Sequence, residues 1–254
     1  MSARPVSRID LEERWHDFSR TSYLTVFGVM KGAVSATAAV VFFQIMTTPA
    51  PLAPQAENVV LWIAAFIGMI MTYQANSLGT IMMFWTPTWR DIVPSFLVGI
   101  LEFSLFASLT PQALRVQHRE QLGLWFAIFG FYALVGGSLA GHASFKVRKL
   151  SYDSRTTGIM KDYAQSQRYS YYFAVFSFVL WVGVAALVAR AHVPNTIIDA
   201  VLLPGAILQM IAALYIQESD LRKIASELEF QQNTPLEQPD PEANKQNALE
   251  NSSL

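Results

Sequence analysis

The chain has 254 residues, of which 52% are hydrophobic and 15% charged, and its net charge is −1. Soluble domains carry about 25% charged residues, so the low charge content argues against a soluble globular protein. The small net charge excludes the global field that attracts nucleic acid. The absence of cysteine excludes disulfides, thiolate metal sites and cysteine nucleophiles.

Six apolar segments predict membrane-spanning helices, because a helix needs roughly 20 mostly apolar residues to cross a bilayer. Prolines between the segments favour loops there, since proline stops a helix. The predicted fold is an all-α six-helix transmembrane bundle over residues 23–217. Its predicted spans are 23–45, 58–84, 92–109, 122–142, 169–190 and 196–217.

Two flanking segments predict short amphipathic helices at the membrane surface. Residues 1–22 place Leu11, Trp15 and Phe18 on one helical face, which suits the headgroup region. Residues 218–254 begin with a second apolar stripe and end in a polar tail, from about Asn233, whose composition predicts disorder. Packing of both stripes against the protein's own loops is the simpler alternative. The second stripe consists of Leu221, Ile224 and Leu228.

The distribution of Lys and Arg predicts the orientation, because loops on the cytoplasmic side retain them. With the N-terminus inside, the opposite side receives only Arg115, Arg119 and Arg190. The expectation is an integral protein of a plasma or inner membrane, with both termini cytoplasmic. Trp125 is assigned to the interfacial aromatic belt on the outer side.

Lys31 and Glu102 are the ionisable residues deepest inside the predicted spans. Such groups are costly and usually face the interior of a bundle. At 1.5 Å per residue, Lys31, Asn76 and Gln209 lie about 12 Å from the cytoplasmic end and Glu102 about 16 Å, with Gln74 close by. We therefore predict a buried polar cluster of these five residues, with Lys31 and Glu102 as an ion pair.

Pro204 and Gly205 predict a kink or hinge in the sixth span, because proline removes a backbone hydrogen bond. A carbonyl freed there would lie near Gln209 and could serve a cation site. Kinked proline helices also occur in membrane bundles without any such site.

Two GxxxG pairs, Gly28/Gly32 and Gly137/Gly141, predict close helix contacts. These contacts could lie inside a compact bundle or between two copies in a homo-oligomer.

Signatures of enzymes and cofactors are missing from the sequence. It contains no HExxH, no GxSxG and no Gly-rich phosphate loop. The four histidines are scattered, without the paired placement that a haem requires, and His142 is interpreted as an interfacial residue. We expect no enzymatic activity and no cofactor.

The function predicted from these residues is passage of a small cation or a proton through the bundle. Glu102 would be the titrating group, with Lys31 as its counter-charge. The alternative is a membrane scaffold or anchoring subunit that acts through its cytoplasmic face, in which the same ion pair only fixes the helix register.

Overall fold

The computed structural model describes six stretches of the chain, and every secondary-structure element in them is helical, which confirms the all-α class. The described stretches are residues 8–49, 51–81, 89–110, 118–149, 154–190 and 193–233. The helices are α1 (Arg8–Thr47), α2 (Leu52–Ile81), α3 (Trp89–Ala107), α4 (His118–Val147), α5 (Ser154–Arg190), α6 (Asn195–Ile197) and α7 (Leu203–Asn233). A π-helical turn, Ile198–Leu202, joins α6 to α7.

Within the described stretches, five segments are long and apolar enough to cross a membrane, and they support a multi-pass membrane protein. They match the first, second, fourth, fifth and sixth predicted spans. The third, α3, has 19 residues that include Arg90, Asp91 and Glu102, and it is not among the five. The sixth crossing therefore stays a prediction. The five segments are Thr21–Thr47, Leu52–Ser77, Arg119–Val147, Gly158–Arg190 and Asn195–Asp220.

The prediction of separate flanking helices is wrong. α1 runs without interruption from Arg8 into the first span, and α7 continues from the last span to Asn233. No proline lies at either junction, so nothing in the backbone stops the helix. Of the side chains in the two predicted stripes the structure describes Phe18, which is exposed. Residues 1–7 and most of the predicted disordered tail, 234–254, lie outside the described residues.

Prolines mark two helix starts. Pro194 precedes α6 as predicted, and its carbonyl accepts hydrogen bonds from the backbone N–H groups of Ile197 and Ile198. Pro54, expected in a loop, lies instead in the first turn of α2. A first-turn N–H has no intrahelical partner, so proline costs little there. α2 consequently begins at Leu52, before the predicted start at residue 58.

The long helices form a closed ring. Around it, α1 contacts α3, α3 contacts α4, α4 contacts α5, α5 contacts α7, α7 contacts α2, and α2 returns to α1. α2 also contacts α3 and α4 across the ring, so it is the most central helix. We call the two ends of the bundle the Asp91 end, where the C-terminus of α4 meets the N-terminus of α3, and the Ser108 end, where α3 finishes beside the start of α4.

Aromatic side chains fill the α4–α5 contact toward the Ser108 end. Trp125 is fully buried, and its ring stacks on Phe129 with centroids 4.9 Å apart. Phe126 stacks on Trp181 of α5 at 5.2 Å. The assignment of Trp125 to an interfacial belt is therefore wrong, because α4 is covered by α3 on one side and α5 on the other.

Three glycines of α4, seven residues apart, bring α5 close. A Cβ atom on Gly137 would overlap Ala174, and one on Gly130 would lie 3.3 Å from the Phe178 carbonyl oxygen. Gly123 meets the α5 backbone in the same way. A seven-residue repeat keeps one face of a helix against its neighbour over several turns, and small residues on that face let the backbones approach.

Candidate functional site

The centre of the candidate site is an ion pair between α1 and α3. Lys31 Nζ donates to Glu102 Oε2 at 2.5 Å and also contacts Oε1. Lys31 is 5% exposed and Glu102 fully buried. Two opposite charges removed from water can both stay ionised when each satisfies the other.

Two hydroxyls extend the pair to α2 and α4. Lys31 Nζ donates to Thr72 Oγ1 at 2.6 Å, and the Thr72 hydroxyl in turn contacts Glu102 Oε1. Tyr132 lies beside Glu102, and its hydroxyl donates to the Gly68 carbonyl at 2.6 Å. Four helices thus each supply one side chain. We call Lys31, Thr72, Glu102 and Tyr132 the Lys31–Glu102 cluster.

Local packing explains why these side chains meet. On α1, Tyr23, Phe27 and Lys31 recur at four-residue spacing and form one buried stripe. The Phe27 ring lies 5.3 Å from Lys31 Nζ, which is a cation–π distance. On α2, Gly68 has no side chain, and a Cβ there would come within 3.2 Å of the Tyr132 hydroxyl. Gly68 therefore lets Tyr132 approach the backbone one turn before Thr72.

A second polar group lies nearer the Asp91 end. The Tyr23 hydroxyl donates to Asn76 Oδ1 at 3.0 Å and lies 2.8 Å from the Ser95 hydroxyl. Asn76 Nδ2 donates to the Thr72 carbonyl at 2.9 Å. Asn76 is thereby bound to the same turn of α2 that carries the Thr72 hydroxyl.

A third polar group is centred on Asp91 at the start of α3. Lys146 Nζ donates to both carboxylate oxygens, at 2.8 and 3.0 Å. His142, one turn earlier on α4, places Nε2 3.2 Å from Asp91 Oδ1, an ionic contact without the alignment of a hydrogen bond. The Asp91 side chain is 6% exposed and that of His142 27%, so the histidine is the more accessible partner. We call Asp91, His142 and Lys146 the Asp91 group.

A cavity of about 110 Å³ connects the three polar groups. It has room for about three water molecules. Thr72 is the member of the Lys31–Glu102 cluster that lines its wall. The other polar side chains along it come from α1 to α5, and they include Tyr23, Asn76, Asp91, His142 and Tyr163.

The structure brings some of the predicted site residues together and not others. Lys31 and Glu102 are in contact, and Asn76 lies one helical turn away. Gln74 is half-buried, and its Oε1 has no hydrogen-bond partner among the described residues. Gln209 is outside the cluster because its Oε1 accepts from Trp181 Nε1 at 2.6 Å. Gln209 is therefore corrected as a member of the five-residue cluster, and the place of Gln74 in it stays a prediction.

Pro204 and Gly205 lie away from the cluster. Pro204 is exposed and follows the π-helical turn, in which the Leu203 N–H bonds to the Ile198 carbonyl five residues back. This widened turn accommodates a residue without an N–H and keeps the helix continuous. A hinge at this position stays a prediction.

The two GxxxG pairs have different surroundings. Gly137 and Gly141 face Ala174 and Tyr171 of α5 in the same chain, so that face is occupied and cannot hold a second copy. Gly28 and Gly32 have no atom within 4 Å of the position a Cβ would take, among the described residues. A homo-oligomer through Gly28 and Gly32 stays a prediction.

The sequence did not indicate four of the site residues, which are Thr72, Tyr132, Asp91 and His142. Thr72 and Tyr132 carry no charge and lie in apolar runs, where a hydroxyl is easily overlooked. Asp91 and Lys146 could have been paired, since both lie at the predicted cytoplasmic ends of neighbouring spans. The described residues contain no group of three His, Asp or Glu side chains that could hold a metal ion.

Comparison with protein-family models, with curated proteins and with solved structures finds no match for this chain.

Proposed function

We propose that this chain carries protons across a membrane through the Lys31–Glu102 cluster. The observation that supports this function best is the position of Thr72. Its hydroxyl contacts both charged groups, and the same residue lines the cavity that leads from the Asp91 end. A buried charge pair with a hydroxyl between it and a polar cavity has the parts that a proton relay requires.

The proposal includes a crossing by α3, which would bring the number of spans to six. α3 buries its polar residues Asp91, Ser95 and Glu102 and exposes Ile100 and Phe103 on its other face. A helix with this arrangement suits a bilayer, since lipid would cover the apolar face and the ring of helices the polar one.

We also propose that the Asp91 end faces the cytoplasm. Basic side chains are exposed there on α3, on the α4–α5 hairpin and on α7, as loops on the cytoplasmic side require. They are Arg90, Arg148, Lys149, Lys161, Arg168 and Arg222.

The packing of the cluster favours a proton over a metal cation. Lys31 occupies the face of Glu102 on which a metal ion would bind, and Glu102 is fully buried. A hydrated Na⁺ or K⁺ would have to displace the ammonium group and separate the helices. A proton needs no such space, because it passes along hydrogen bonds.

The proposed step is a relay through Thr72. A cavity water that has taken up a proton (H₃O⁺) gives one proton to Thr72 Oγ1 while the hydroxyl hydrogen of Thr72 moves to Glu102 Oε1. The products are a neutral water, a neutral carboxylic acid and an intact threonine. Neutral Glu102 no longer holds Lys31 by charge, so the unpaired ammonium favours rearrangement of the cluster.

Proton flux into liposomes that contain the purified protein, driven by a membrane potential, tests the proposal. We expect flux in the parent and its loss in Glu102→Gln. Thr72→Val should also lose flux, because valine has threonine's shape without the hydroxyl, whereas Thr72→Ser should keep it. Ser177→Ala is the matched control, since this buried hydroxyl only donates to the Phe173 carbonyl of its own helix.

Absence of flux in the folded parent would overturn the proposal, as would equal flux in the parent and Glu102→Gln. Flux of Na⁺ or K⁺ that exceeds that of protons would replace the proton by a metal cation.

The second candidate is a non-transporting scaffold or anchoring subunit. The complete burial of Glu102, with both oxygens held by Lys31, favours it, because an ion pair of this kind can fix helix register without moving. In that case Glu102→Gln would lower stability, and no variant would change ion flux.

A further inference from the structure

The Asp91 group has no part in the relay just described, although it lines the same cavity. His142 and Asp91 lie at one end of the cavity wall and Thr72 at the other. The cavity lining thus runs from the Asp91 group to the Thr72 hydroxyl that contacts the buried charge pair.

We infer that His142 is the proton-uptake site of this pathway, an inference that rests on the proposed function. Histidine is the side chain that exchanges protons near neutral pH. The His142 side chain is 27% exposed, although its Nε2 atom is buried, and the residue lines the cavity, so its ring lies between the solution and the cavity.

The groups around His142 suit a transient charge. From α3, the Asp91 carboxylate lies 3.2 Å from Nε2 and would pair with an imidazolium. Lys146 on the same helix already binds that carboxylate, so a protonated His142 must share it. The α1 and α5 side of the cavity adds the hydroxyls of Tyr23 and Tyr163, which are neutral near pH 7.

The exchange conserves protons at each step. The imidazole takes a proton from the solution and holds it as an imidazolium beside Asp91. It then returns one proton to a cavity water and becomes neutral again. That water delivers the proton toward Thr72.

The test is proton flux in liposomes with His142→Ala, measured from pH 5.5 to 8.5 with and without added imidazole. We expect flux on the order of 100-fold lower than in the parent at pH 7. Added imidazole should restore part of it, because a free imidazole can occupy the space left by the side chain and exchange protons there. Restoration should rise with imidazole concentration.

Gln167→Ala is the matched control. Gln167 lines the same cavity, and its side chain does not titrate. Proton flux in Gln167→Ala should therefore keep the pH dependence of the parent, and added imidazole should not change this flux. A purely structural role for His142 would give a loss of flux that imidazole does not reverse.

The outcomes separate this inference from the function on which it rests. Flux that is lost in Glu102→Gln and unchanged in His142→Ala would overturn the uptake site alone. Lost flux in His142→Ala without rescue by imidazole would overturn it as well. No flux in the parent would overturn both.

Discussion

At the scale of single residues, burial determines how the Lys31–Glu102 pair contributes to stability. Lys31 and Glu102 are both shielded from solvent, and Thr72 bonds to each of them. Because both side chains are buried, removing one of them should lower the stability of the protein more than removing both.

We predict a large non-additive effect on stability. Lys31→Met and Glu102→Gln, made singly, should each lower the free energy of unfolding by about 3–5 kcal/mol, because each leaves one buried group without its partner. The double variant Lys31→Met/Glu102→Gln should recover most of that loss. Unfolding in mixed detergent micelles, followed by circular dichroism, measures all four proteins.

If the double variant loses as much free energy of unfolding as the two single variants together, Lys31 and Glu102 do not interact directly in micelles. Ser177→Ala again provides the reference for removing one buried polar group that bonds within its own helix.

The sequence could predict the charged half of the site, and it missed the neutral half. Lys31 and Glu102 stand out because charges are rare inside apolar spans. Thr72 and Tyr132 do not, because hydroxyls are common in membrane helices, and only the packing of α2 against α4 at Gly68 shows that they meet. Gln209 failed for a related reason. Its estimated depth suggested the cluster, but depth along a helix does not determine where the side chain points, and the Gln209 Oε1 accepts a hydrogen bond from Trp181 Nε1.

At the scale of helices, α4 and α5 behave as one hairpin because glycine lines their contact. Gly123, Gly130 and Gly137 recur every seven residues, and this repeat can be found in the sequence. The predicted GxxxG pair Gly137/Gly141 covers part of this contact. The pair alone left open whether its partner was another helix of the chain or another copy.

Adjacent glycines provide a matched test of this contact. Gly137→Leu should lower the free energy of unfolding by about 1–3 kcal/mol or prevent folding, since its Cβ would overlap Ala174. Gly136→Leu should cost much less, because no described atom lies within 4 Å of its Cβ position. Thermal unfolding in detergent compares the two, and equal midpoints would contradict the packing of α4 on α5.

Helix ends were harder to predict than helix centres. The apolar runs identify where α1 and α7 cross, but hydropathy falls before the helix ends, so the polar extensions were interpreted as separate elements. At α2 the predicted helix began too late. Sequence alone does not distinguish a proline in a loop from a proline in the first turn of a helix, and Pro54 lies in the first turn.

At the scale of the whole molecule, the number of crossings determines on which side each loop lies. If α3 crosses, Arg90 at its start and Glu120 at the start of α4 are on opposite sides of the membrane. If α3 does not cross, they are on the same side.

Labelling of single cysteines decides between these topologies, and the chain contains no cysteine of its own. We predict that Arg90→Cys reacts with an impermeant thiol reagent from the same side as Lys149→Cys. Glu120→Cys should react from the side of Leu52→Cys. All four positions are exposed. Reaction of Arg90→Cys and Glu120→Cys from one side would rule out six crossings.

The continuity of α1 has a mechanical consequence. Its 40 residues form a rod about 60 Å long, twice the roughly 30 Å of the hydrocarbon core. Lys31 lies part-way along this rod, about 35 Å from Arg8. A tilt of about 10° around Lys31, well within the range of membrane helices, would displace Arg8 by about 6 Å. α1 is thus a lever that would amplify any small rearrangement at the buried charges into a movement at the membrane surface.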